Sequence, residues 1–563
     1  MEFGDRFTKW TPFIIVVAIC IIIKEIQTRV RTKRHRQLLS AQNGCARPPE
    51  LQIGRVPDLG IQKLKQSAKH IQHGTYLNLS QNRFDEVGAS TYSSNNLGST
   101  TVDTCEPRNI QAMLALNFGD WSLGEQRHYA FSPLLGTGIF SADGMDWKHS
   151  RALLRPSFSS DVLTNLSVLE GHVQNLLLVV KESAGQTTNL SDLFFRFTLD
   201  TATEMFFGQS CESLRHDPSD HSKTAAASEF ADAFNRTQRK LADDLVLGRM
   251  APVLTSREAK QQYREDCKIV HDFVADSIAK QQAALAGDSA SPIPGRYVLL
   301  HELLKSEQDL DMIRHELVNV LVAGRDTTAS LLSNLWFTLA REPKIYQKLK
   351  DEIAAELYSG TDSILPTLPD LQGLPYLRAC IDEALRLWPP VPVNSRTATI
   401  DTVLPLGGGE AGEQPLLINA GTRVGYNVWA LHRRQDLWGP DAAQFRPERW
   451  LEKGANRYRT NWQFLPFNAG PRVCLGQQLA FAQARYVTVR LVQSFSSIEA
   501  AADVNPKDEF LVETLRESDV DATNDGKRPQ TDVESNPACT WKWQEALTLT
   551  LSSRGGTHVR VTT

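Results

Sequence analysis

The residues with the clearest capacity for chemistry lie around one cysteine near position 474. A cysteine binds a metal as a thiolate, and backbone N–H groups at a helix start stabilise that charge. Glycines allow the unusual backbone angles of a tight loop, and an arginine supplies positive charge. All are present at the spacing Phe-x-x-Gly-x-Arg-x-Cys-x-Gly, before a helical pattern over 477–493, in Phe467, Gly470, Arg472, Cys474 and Gly476. A lone cysteine is usually a small buried hydrophobe, but this spacing favours a thiolate ligand to a heme iron, with Phe467 excluding water.

A second polar group interrupts an apolar helical pattern that covers residues 311–341. Residues 323–328 read Ala-Gly-Arg-Asp-Thr-Thr, although glycine and paired threonines are poor helix formers. The hydroxyl of Thr327 can bond to the carbonyl of Ala323, and such a bond can open the helix locally to water or a ligand. Asp326 adds an ionisable group. The alternative is an ordinary polar turn on the exposed side of a long helix.

The elements that must position these groups belong to a chain of 563 residues with a formal net charge of −4. Its composition, 41% hydrophobic and 22% charged, excludes a collagen-like, coiled-coil or largely disordered protein. The charge balance offers no argument for nucleic acid as a partner. None of the 8 cysteines forms a CxxC pair, so neither a zinc site nor a disulfide framework is indicated. Helical patterns dominate residues 147–390, and the fold class is predicted to be mainly α with small β-sheets.

Three local expectations complete the coarse prediction of structure. Leucine and valine at helical spacing predict a helix over 162–181. Alternation at Leu547, Leu549 and Leu551 predicts a strand, followed by a turn at 555–556. The polar residues 517–537 are expected to form a surface loop.

The first residues predict a membrane anchor. Residues 13–23 are an unbroken apolar run, and the stretch from Trp10 to Ile26 would span roughly 25 Å as a helix, close to the thickness of a thin bilayer. Residues 24–36 are strongly basic, which by the positive-inside rule leaves the rest of the chain in the cytosol. A cleaved signal peptide and a buried helix are the alternatives. The predicted organisation is an anchor at 1–26, a basic and proline-containing hinge at 27–60, and one large domain at 61–563.

The cysteine loop resembles that of the cytochrome P450 family, and the resemblance extends over nearly the whole chain beyond the anchor. It implies the cytochrome P450 fold, with heme b ligated by Cys474. Residues 323–328 match the family's oxygen-activating motif, so Asp326 and Thr327 correspond to its acid–alcohol pair, which supplies protons.

The resemblance also assigns a group of charged residues that supports the heme loop. Glu383 and Arg386 look like the family's Glu-x-x-Arg helix, and Arg449 in Pro-Glu-Arg-Trp would bond to that glutamate. The spacing alone is weak, since Glu513 and Arg516 repeat it after the cysteine loop, in the wrong order for the family. The role that the resemblance implies for Glu383, Arg386 and Arg449 is structural.

Further heme contacts follow from the same resemblance. Trp147 and Arg151 match the segment that contacts the heme propionates, and Arg396 is another propionate candidate. The alternatives are an indole packed in the core and arginines in surface ion pairs.

The activity that the resemblance implies is insertion of one oxygen atom from dioxygen into a C–H bond, with the other atom leaving as water. Electrons would come from NADPH through a separate membrane-bound NADPH-cytochrome P450 reductase, because the chain has no room for a flavin domain and no Gly-x-Gly-x-x-Gly motif that opens a helix after a strand. The expected location is the endoplasmic reticulum membrane, crossed once, with the catalytic domain in the cytosol. Lipid bilayer and a lipophilic small molecule are the remaining expected partners.

The substrate is predicted less specifically. Residues 385–394, 404–409, 432–450 and 474–480 look like the fungal alkane and fatty-acid hydroxylase branch, but they surround the heme and core. A tailoring monooxygenase of a polyketide or terpenoid pathway in secondary metabolism would share them. A heme-thiolate isomerase or dehydratase would need no proton relay, and a heme sensor would need no reductase.

Overall fold

Helices account for most of the described chain in this computed structural model. The structure describes residues 3–53, 59–158, 166–214, 221–286, 297–307, 309–359, 362–501 and 543–563, with only the backbone for 3–15 and a few other helical or strand residues. In chain order the helices are α1 Phe3–Gln42, α2 Ile61–His73, α3 Tyr76–Val87, α4 Pro107–Gln111, α5 Glu125–Leu135, α6 Gly144–Leu154, α7 Ser167–Glu182, α8 Leu190–Phe207, α9 His221–Leu247, α10 Ala251–Leu254, α11 Arg257–Ala286, α12 Leu299–Ser306, α13 Leu310–Leu339, α14 Pro343–Leu357, α15 Leu368–Gln372, α16 Pro375–Leu387, α17 Val428–Leu431, α18 Gln435–Trp438, α19 Arg457–Thr460 and α20 Gln477–Ser494.

The strands form small sheets, as the sequence predicts. They are β1 Thr91–Asn96, β2 Ser99–Thr104, β3 Trp121–Ser122, β4 Thr188–Asn189, β5 Tyr358–Ser359, β6 Asp362–Ser363, β7 Val393–Ala398, β8 Thr402–Gly408, β9 Gln414–Ile418, β10 Arg423–Asn427, β11 Ser497–Ala500, β12 Glu545–Leu547, β13 Leu551–Ser553 and β14 His558–Thr562. The largest sheet has the order β1-β2-β10-β7-β3, in which β2 and β10 run parallel and the other neighbours antiparallel. A smaller sheet has the order β11-β14-β4.

Helix α13 runs through the centre of the molecule and confirms the predicted long helix. Asp309 caps its start, because the carboxylate accepts the backbone N–H groups of Asp311 and Met312. Its side chains pack against α8 on one side and against α16 and α20 on another. From residue 316 to 340 every residue is buried except three in the middle. The apolar pattern therefore places the polar 323–328 segment inside the protein and not on an exposed face.

One local prediction needs correction, and another is confirmed only where the chain is described. The strand predicted over 547–551 is two strands, β12 and β13, because the Thr548 N–H donates to the Thr550 carbonyl and closes a turn between them. The helix predicted over 162–181 is observed as α7 from Ser167, and the residues 159–165 before it lie outside the described chain. The predicted surface loop at 517–537 also lies outside it.

The N-terminal residues form the single helix α1, which extends to Gln42. The basic stretch predicted as part of a hinge is therefore helical up to that residue. In the part of the chain whose side chains are described, which begins at residue 16, no helix is sufficiently long and apolar to cross a bilayer. The predicted anchor, residues 1–26, begins before residue 16, so only its second part lies in the range to which this finding applies.

Candidate active site

Cys474 lies in a tight loop directly before α20. Its backbone N–H donates to the carbonyl of Phe467 at 3.0 Å, which closes the loop. Gly470 has a φ of +69°, and a Cβ there would lie 1.9 Å from the carbonyl oxygen of Leu114. Only glycine fits, because the left-handed backbone and the close approach both exclude a side chain. The ring of Phe467 packs at 5.2 Å, centre to centre, on the ring of Phe481.

Gly476 does not have the unusual backbone angles that the sequence analysis expects. Its φ is −84°, and a Cβ would meet the Phe158 ring at an ordinary 3.6 Å. That expectation is wrong because the backbone of Gly476, with a φ of −84° and a ψ of 12°, lies in a region that other residues also adopt. Gly476 contributes instead through its backbone N–H, which points to the sulfur of Cys474 and lowers its pKa.

The thiol of Cys474 faces an interior space. Its side chain is solvent-accessible, although surrounding protein raises the pKa of the thiol through burial. The side chain therefore opens inward and not onto the outer surface. Arg151 opposes burial and favours the thiolate. Its Nη1 is fixed by donating to the carbonyl of Val473 at 3.0 Å.

Four arginines, which we call the arginine cluster, converge beside this loop: Arg127, Arg151, Arg396 and Arg472. The buried indole of Trp147 lies between two of them, with its ring centre 4.6 Å from the guanidinium carbon of Arg472 and 5.9 Å from that of Arg151. Arg472 Nη2 donates to the Ala142 carbonyl at 2.9 Å and to the Asp143 carboxylate at 2.5 Å. The structure thus brings the four predicted propionate contacts, Trp147, Arg151, Arg396 and Arg472, into one region.

Arg127 is a member of this cluster that sequence reasoning missed. Its Nη1 donates to Asn394 Oδ1 at 3.0 Å, and the same oxygen lies 3.4 Å from Arg396 Nη1. Burial, followed by the charge of Arg396, lowers the pKa of Arg127 to about 10. No sequence signal marks Arg127, which lies between Gln126 and His128 in a helix of ordinary polar composition.

The arginine cluster fits a bound group with two negative charges. Within the described ranges, Asp143 is the one carboxylate bonded to these four guanidinium groups. Burial, and to a smaller extent the charges of Arg396 and Arg151, lowers the pKa of Arg472 to about 10 although Asp143 opposes this, so an additional negative group here would be stabilising. Two propionates would supply this negative charge while the thiolate of Cys474 ligates an iron. The residues present therefore fit heme.

Helix α13 contributes an accessible stripe within its buried stretch. Ala323, Gly324 and Thr327 are its partly accessible residues between 316 and 340. Thr327 Oγ1 donates to the Ala323 carbonyl at 2.8 Å, the bond that the sequence analysis describes. The helix stays continuous through this bond, so the local opening that such a bond can cause is not observed. A substitution at Gly324 would be crowded, with a Cβ 2.9 Å from the Phe206 ring.

Asp326 lies on another side of α13 from the Thr327 hydroxyl. Its Oδ1 accepts from Arg325 Nη1 at 3.1 Å, and Oδ2 has no hydrogen-bond partner among the described residues. Burial raises the pKa of Asp326, whereas Arg325 and the side-chain amide of Gln238 on α9 lower it. No hydrogen bond among the described residues joins the Asp326 carboxylate to the Thr327 hydroxyl, although the two residues are adjacent in the chain.

Glu383, Arg386 and Arg449 come together in a buried ion-pair group. Arg386 donates to both carboxylate oxygens of Glu383 at 2.8 Å, and Arg449 Nε donates to Oε1 at 2.9 Å. Trp450 Nε1 is a further donor at 3.0 Å. Burial alone would raise the pKa of Glu383, but the two arginines hold it below its ordinary value. The group joins α16 to the segment that leads into the cysteine loop.

His432 is a second residue that sequence reasoning missed. It is fully buried, its Nδ1 lies 3.0 Å from the Arg386 carbonyl, and its Nε2 accepts the Leu465 N–H at 2.9 Å. Burial, then the charge of Arg386, lowers its pKa well below the ordinary value, so the ring is neutral. It ties the end of α16 to the residues before the cysteine loop. The sequence His-Arg-Arg at 432–434 reads as an exposed basic stretch and conceals this role.

Comparisons with known proteins agree with this geometry. A family model for cytochrome P450 matches residues 81–518. Cytochrome P450 52A12 of Debaryomyces hansenii is 38% identical over 506 residues, which cover 89% of this chain and 94% of that protein. Cytochrome P450 52A5 of Candida maltosa is 44% identical over 403 residues, 70% of this chain and 75% of its own length. Cytochrome P450 monooxygenase himC of Aspergillus japonicus is 38% identical over 503 residues, with 89% and 81% covered.

Proposed function

The chain belongs to the cytochrome P450 family of heme-thiolate monooxygenases, and from this premise we propose that it hydroxylates fatty acids or alkanes at a membrane surface. The observation that carries the chemistry is the inward-facing thiol of Cys474 beside the arginine cluster. The substrate class is supported by the likeness of residues 385–394, 404–409 and 432–450 to the fungal alkane and fatty-acid hydroxylase branch.

When bound, heme supplies the activation of dioxygen and the transfer of one oxygen atom. Cys474 would ligate its iron as a thiolate, which the Gly476 N–H and Arg151 favour. Trp147 and the arginine cluster would orient the group through its carboxylates. Phe467 and Gly476 enclose the sulfur, while Glu383, Arg386 and Arg449 hold the loop from behind.

Proton supply is assigned to α13. Thr327 presents its hydroxyl on the accessible stripe, where it can hold a water molecule and pass a proton to oxygen. Asp326 is buried, and burial raises its pKa, so its carboxyl keeps a proton to a higher pH than an exposed aspartate does and can release it toward the stripe. The absence of a direct contact implies that a water molecule or a side-chain rotation joins the two.

The membrane proposal uses the N-terminal sequence. Residues 1–26 form the anchor, 27–60 connect it to the body, and 61–563 are the monooxygenase domain. The chain crosses the endoplasmic reticulum membrane once, with the basic residues 24–36 and the domain in the cytosol. A membrane-bound NADPH-cytochrome P450 reductase on the same surface donates the electrons.

The test is turnover in membranes that contain the full chain and a fungal NADPH-dependent reductase. Dodecanoic acid, hexadecane and a panel of polyketide and terpenoid scaffolds are supplied, and products are identified by mass and position of the new hydroxyl. We expect hydroxylated products from dodecanoic acid and hexadecane, and we expect their formation to require both NADPH and dioxygen. Cys474→Ser is the control and should lose both activity and the thiolate-type carbon monoxide spectrum.

Other outcomes assign other functions. Product from the ring scaffolds alone would replace the proposed substrate class with that of a tailoring enzyme. Turnover of organic peroxides without reductase would indicate an isomerase or dehydratase. A wild-type spectrum that persists in Cys474→Ser would contradict the ligand assignment itself.

A further inference from the structure

Three arginines act on the buried carboxylate of Asp382, the residue before Glu383 in α16. Arg378 Nε donates to Asp382 Oδ2 at 2.7 Å, and Arg459 Nη2 donates to the same oxygen at 2.5 Å. Burial raises the pKa of Asp382, whereas Arg378, Arg459 and the charge of Arg485 on α20 lower it. We call Arg378, Arg459 and Arg485 the three-arginine site.

Arg485 is a buried arginine whose guanidinium makes no hydrogen bond to any described residue. The residue is 7% exposed, and its Nε is fully buried without a partner. Arg490, further along α20, is buried to the same 7% but donates to Glu170 and to Gln493. Buried polar groups in native proteins are almost always hydrogen-bonded, so the unused donors of Arg485 indicate a place where a ligand can bind.

The three-arginine site carries more positive than negative charge. Within the described ranges, Asp382 is the one carboxylate that hydrogen bonds to any of its arginines. Burial, followed by the charge of Arg378, lowers the pKa of Arg485 to about 10, although Asp382 opposes this. Three guanidinium groups against one carboxylate leave two positive charges, which a dianion would balance.

The site extends from the protein surface into the interior. The side chains of Arg378 and Arg459 are 32% and 37% exposed, whereas Asp382 and Arg485 are buried. The exposed arginines give solvent ions access to the site, and the buried one offers donors that water in bulk does not occupy. This combination is what a binding site for a soluble anion requires.

Phe481 joins the three-arginine site to the cysteine loop. Its ring centre lies 3.8 Å from the guanidinium carbon of Arg378 and 5.5 Å from that of Arg485. The same ring packs on the ring of Phe467, whose carbonyl accepts the Cys474 N–H. A ligand that fixes the two arginines would therefore also fix the ring on which the cysteine loop rests.

We propose that the three-arginine site binds a phosphate-type dianion, with Arg485 as its buried anchor. Guanidinium groups match the geometry of phosphate oxygens, and the charge of −2 balances the site. Free phosphate and the phosphate group of a small monoester supply the same oxygens. The site shares no residue with the arginine cluster and does not depend on the substrate that the enzyme oxidises.

The test is phosphate binding to the heme-loaded full chain in detergent at about pH 8, where phosphate is a dianion. Calorimetric titrations use sodium phosphate and, separately, glycerol phosphate, with sodium chloride holding the ionic strength constant. Arg485→Met is the test variant, because methionine keeps an unbranched side chain without donors. Arg485→Gln is made in parallel and read in the same way, in case the methionine variant does not fold.

Arg457→Met is the matched control. Arg457 is an exposed arginine on α19, close to Arg459 in the chain, and its Nη2 donates to the Tyr458 hydroxyl and not to Asp382. The variant therefore removes one positive charge from the same surface and leaves the three-arginine site intact.

We expect Arg457→Met to bind phosphate within about twofold of wild type and Arg485→Met to bind it at least about tenfold more weakly. Phosphate should raise the thermal unfolding midpoint of wild type and not that of Arg485→Met. In chloride alone, Arg485→Met should be at least as stable as wild type, because it removes a buried charge that has no hydrogen bond. An arginine with a merely structural role would lose the same stability in both buffers.

Two arms decide the source of the ligand. Binding of phosphate alone would assign the site to the free ion, and binding of glycerol phosphate as well would extend it to monoesters. Wild type that binds neither would overturn the proposal without any variant and would leave water as the partner of Arg485. Equal weakening in Arg457→Met and Arg485→Met would also overturn it, since general surface charge would then explain the binding.

Discussion

Thr327 places a hydroxyl on the accessible stripe of a helix that is otherwise buried. The hydroxyl donates to the Ala323 carbonyl at 2.8 Å, which leaves its oxygen lone pairs available to accept a bond from water. A threonine with these properties can both hold a water molecule and give up its own proton. This is the requirement for controlled proton delivery at oxygen.

Thr327→Ala is expected to uncouple electron use from product formation. Product formed per NADPH should fall about tenfold or more, with hydrogen peroxide formed in its place, because proton delivery contributes factors of this size. Product, peroxide and NADPH are measured together, and the carbon monoxide spectrum checks that heme is retained. Thr328→Ala, at the adjacent buried threonine, is the control, and unchanged coupling in Thr327→Ala would refute the role.

Glu316 is a buried acid on α13 whose burial raises its pKa from 4.5 to about 7, although Ser150, the Ile139 N–H and His149 act against this. As the pH rises, an acid whose pKa is raised by folding loses its proton at a lower pH in the unfolded chain than in the folded protein. The contribution of Glu316 to stability should therefore be constant below about pH 4.5, fall between pH 4.5 and 7, and stay low above that.

Glu316→Gln should remove this pH dependence. Relative to wild type, the variant should gain stability progressively from pH 5 to pH 8, reaching roughly 3 kcal/mol in the free energy of unfolding. Denaturant unfolding across this range measures the difference. Glu356→Gln, at an exposed position, should show no such trend, and a constant difference for Glu316→Gln would contradict the raised pKa.

At the scale of elements, the end of α1 is attached to the β8–β9 hairpin. Arg36 Nε lies 3.0 Å from both oxygens of Asp401, which also accepts the Ala420 N–H at 2.8 Å. Beyond the helix, the Ala46 N–H donates to the Pro415 carbonyl at 3.0 Å. The chain between α1 and the domain is thus bonded to a sheet, and a membrane anchor in α1 would meet the domain at a defined angle.

Asp401→Asn should loosen this attachment. We expect exchange of the Ala46 amide to rise about fivefold, since a partly exposed ion pair contributes up to about 1 kcal/mol. The measurement is hydrogen–deuterium exchange on the full chain in membranes. Glu413→Gln, exposed on the same hairpin, provides the comparison, and equal exchange in both variants would show that Asp401 does not hold the helix end.

At the scale of the whole molecule, the C-terminal residues join parts of the chain that are far apart in sequence. Strand β14 pairs with both β11 and β4, and Glu545 accepts the Leu77 N–H at 3.0 Å. Thr557 Oγ1 donates to the Ser333 carbonyl in α13 at 2.9 Å. The end of the chain is therefore part of the support of the central helix.

Gly556→Ala is expected to weaken the contacts that the C-terminal residues make with the rest of the fold. Gly556 has a φ of +77°, and a Cβ would lie 2.7 Å from Asn189 Oδ1. The free energy of unfolding should fall by about 1–3 kcal/mol because both strain and crowding oppose alanine. Gly555→Ala is the control, with nothing within 4 Å of its Cβ and no positive φ; equal stability of the two variants would be the contradicting result in thermal or denaturant unfolding.

The amino-acid sequence alone predicted the features that depend on local pattern. The long helix α13, the helix after Cys474 and the need for glycine at position 470 follow from apolar periodicity and backbone geometry over short stretches. The family could also be identified, because the residues around Cys474 form a contiguous and specific motif.

Only the tertiary structure decided which distant residues complete the site. Arg127 and His432 carry no local signal, because their roles come from bonds to residues 140 and 465, which folding alone brings within reach. The same holds for the turn that splits the predicted strand 547–551 and for the ordinary angles of Gly476. Short-range pattern constrains a backbone locally, whereas contacts across the fold depend on how all elements pack.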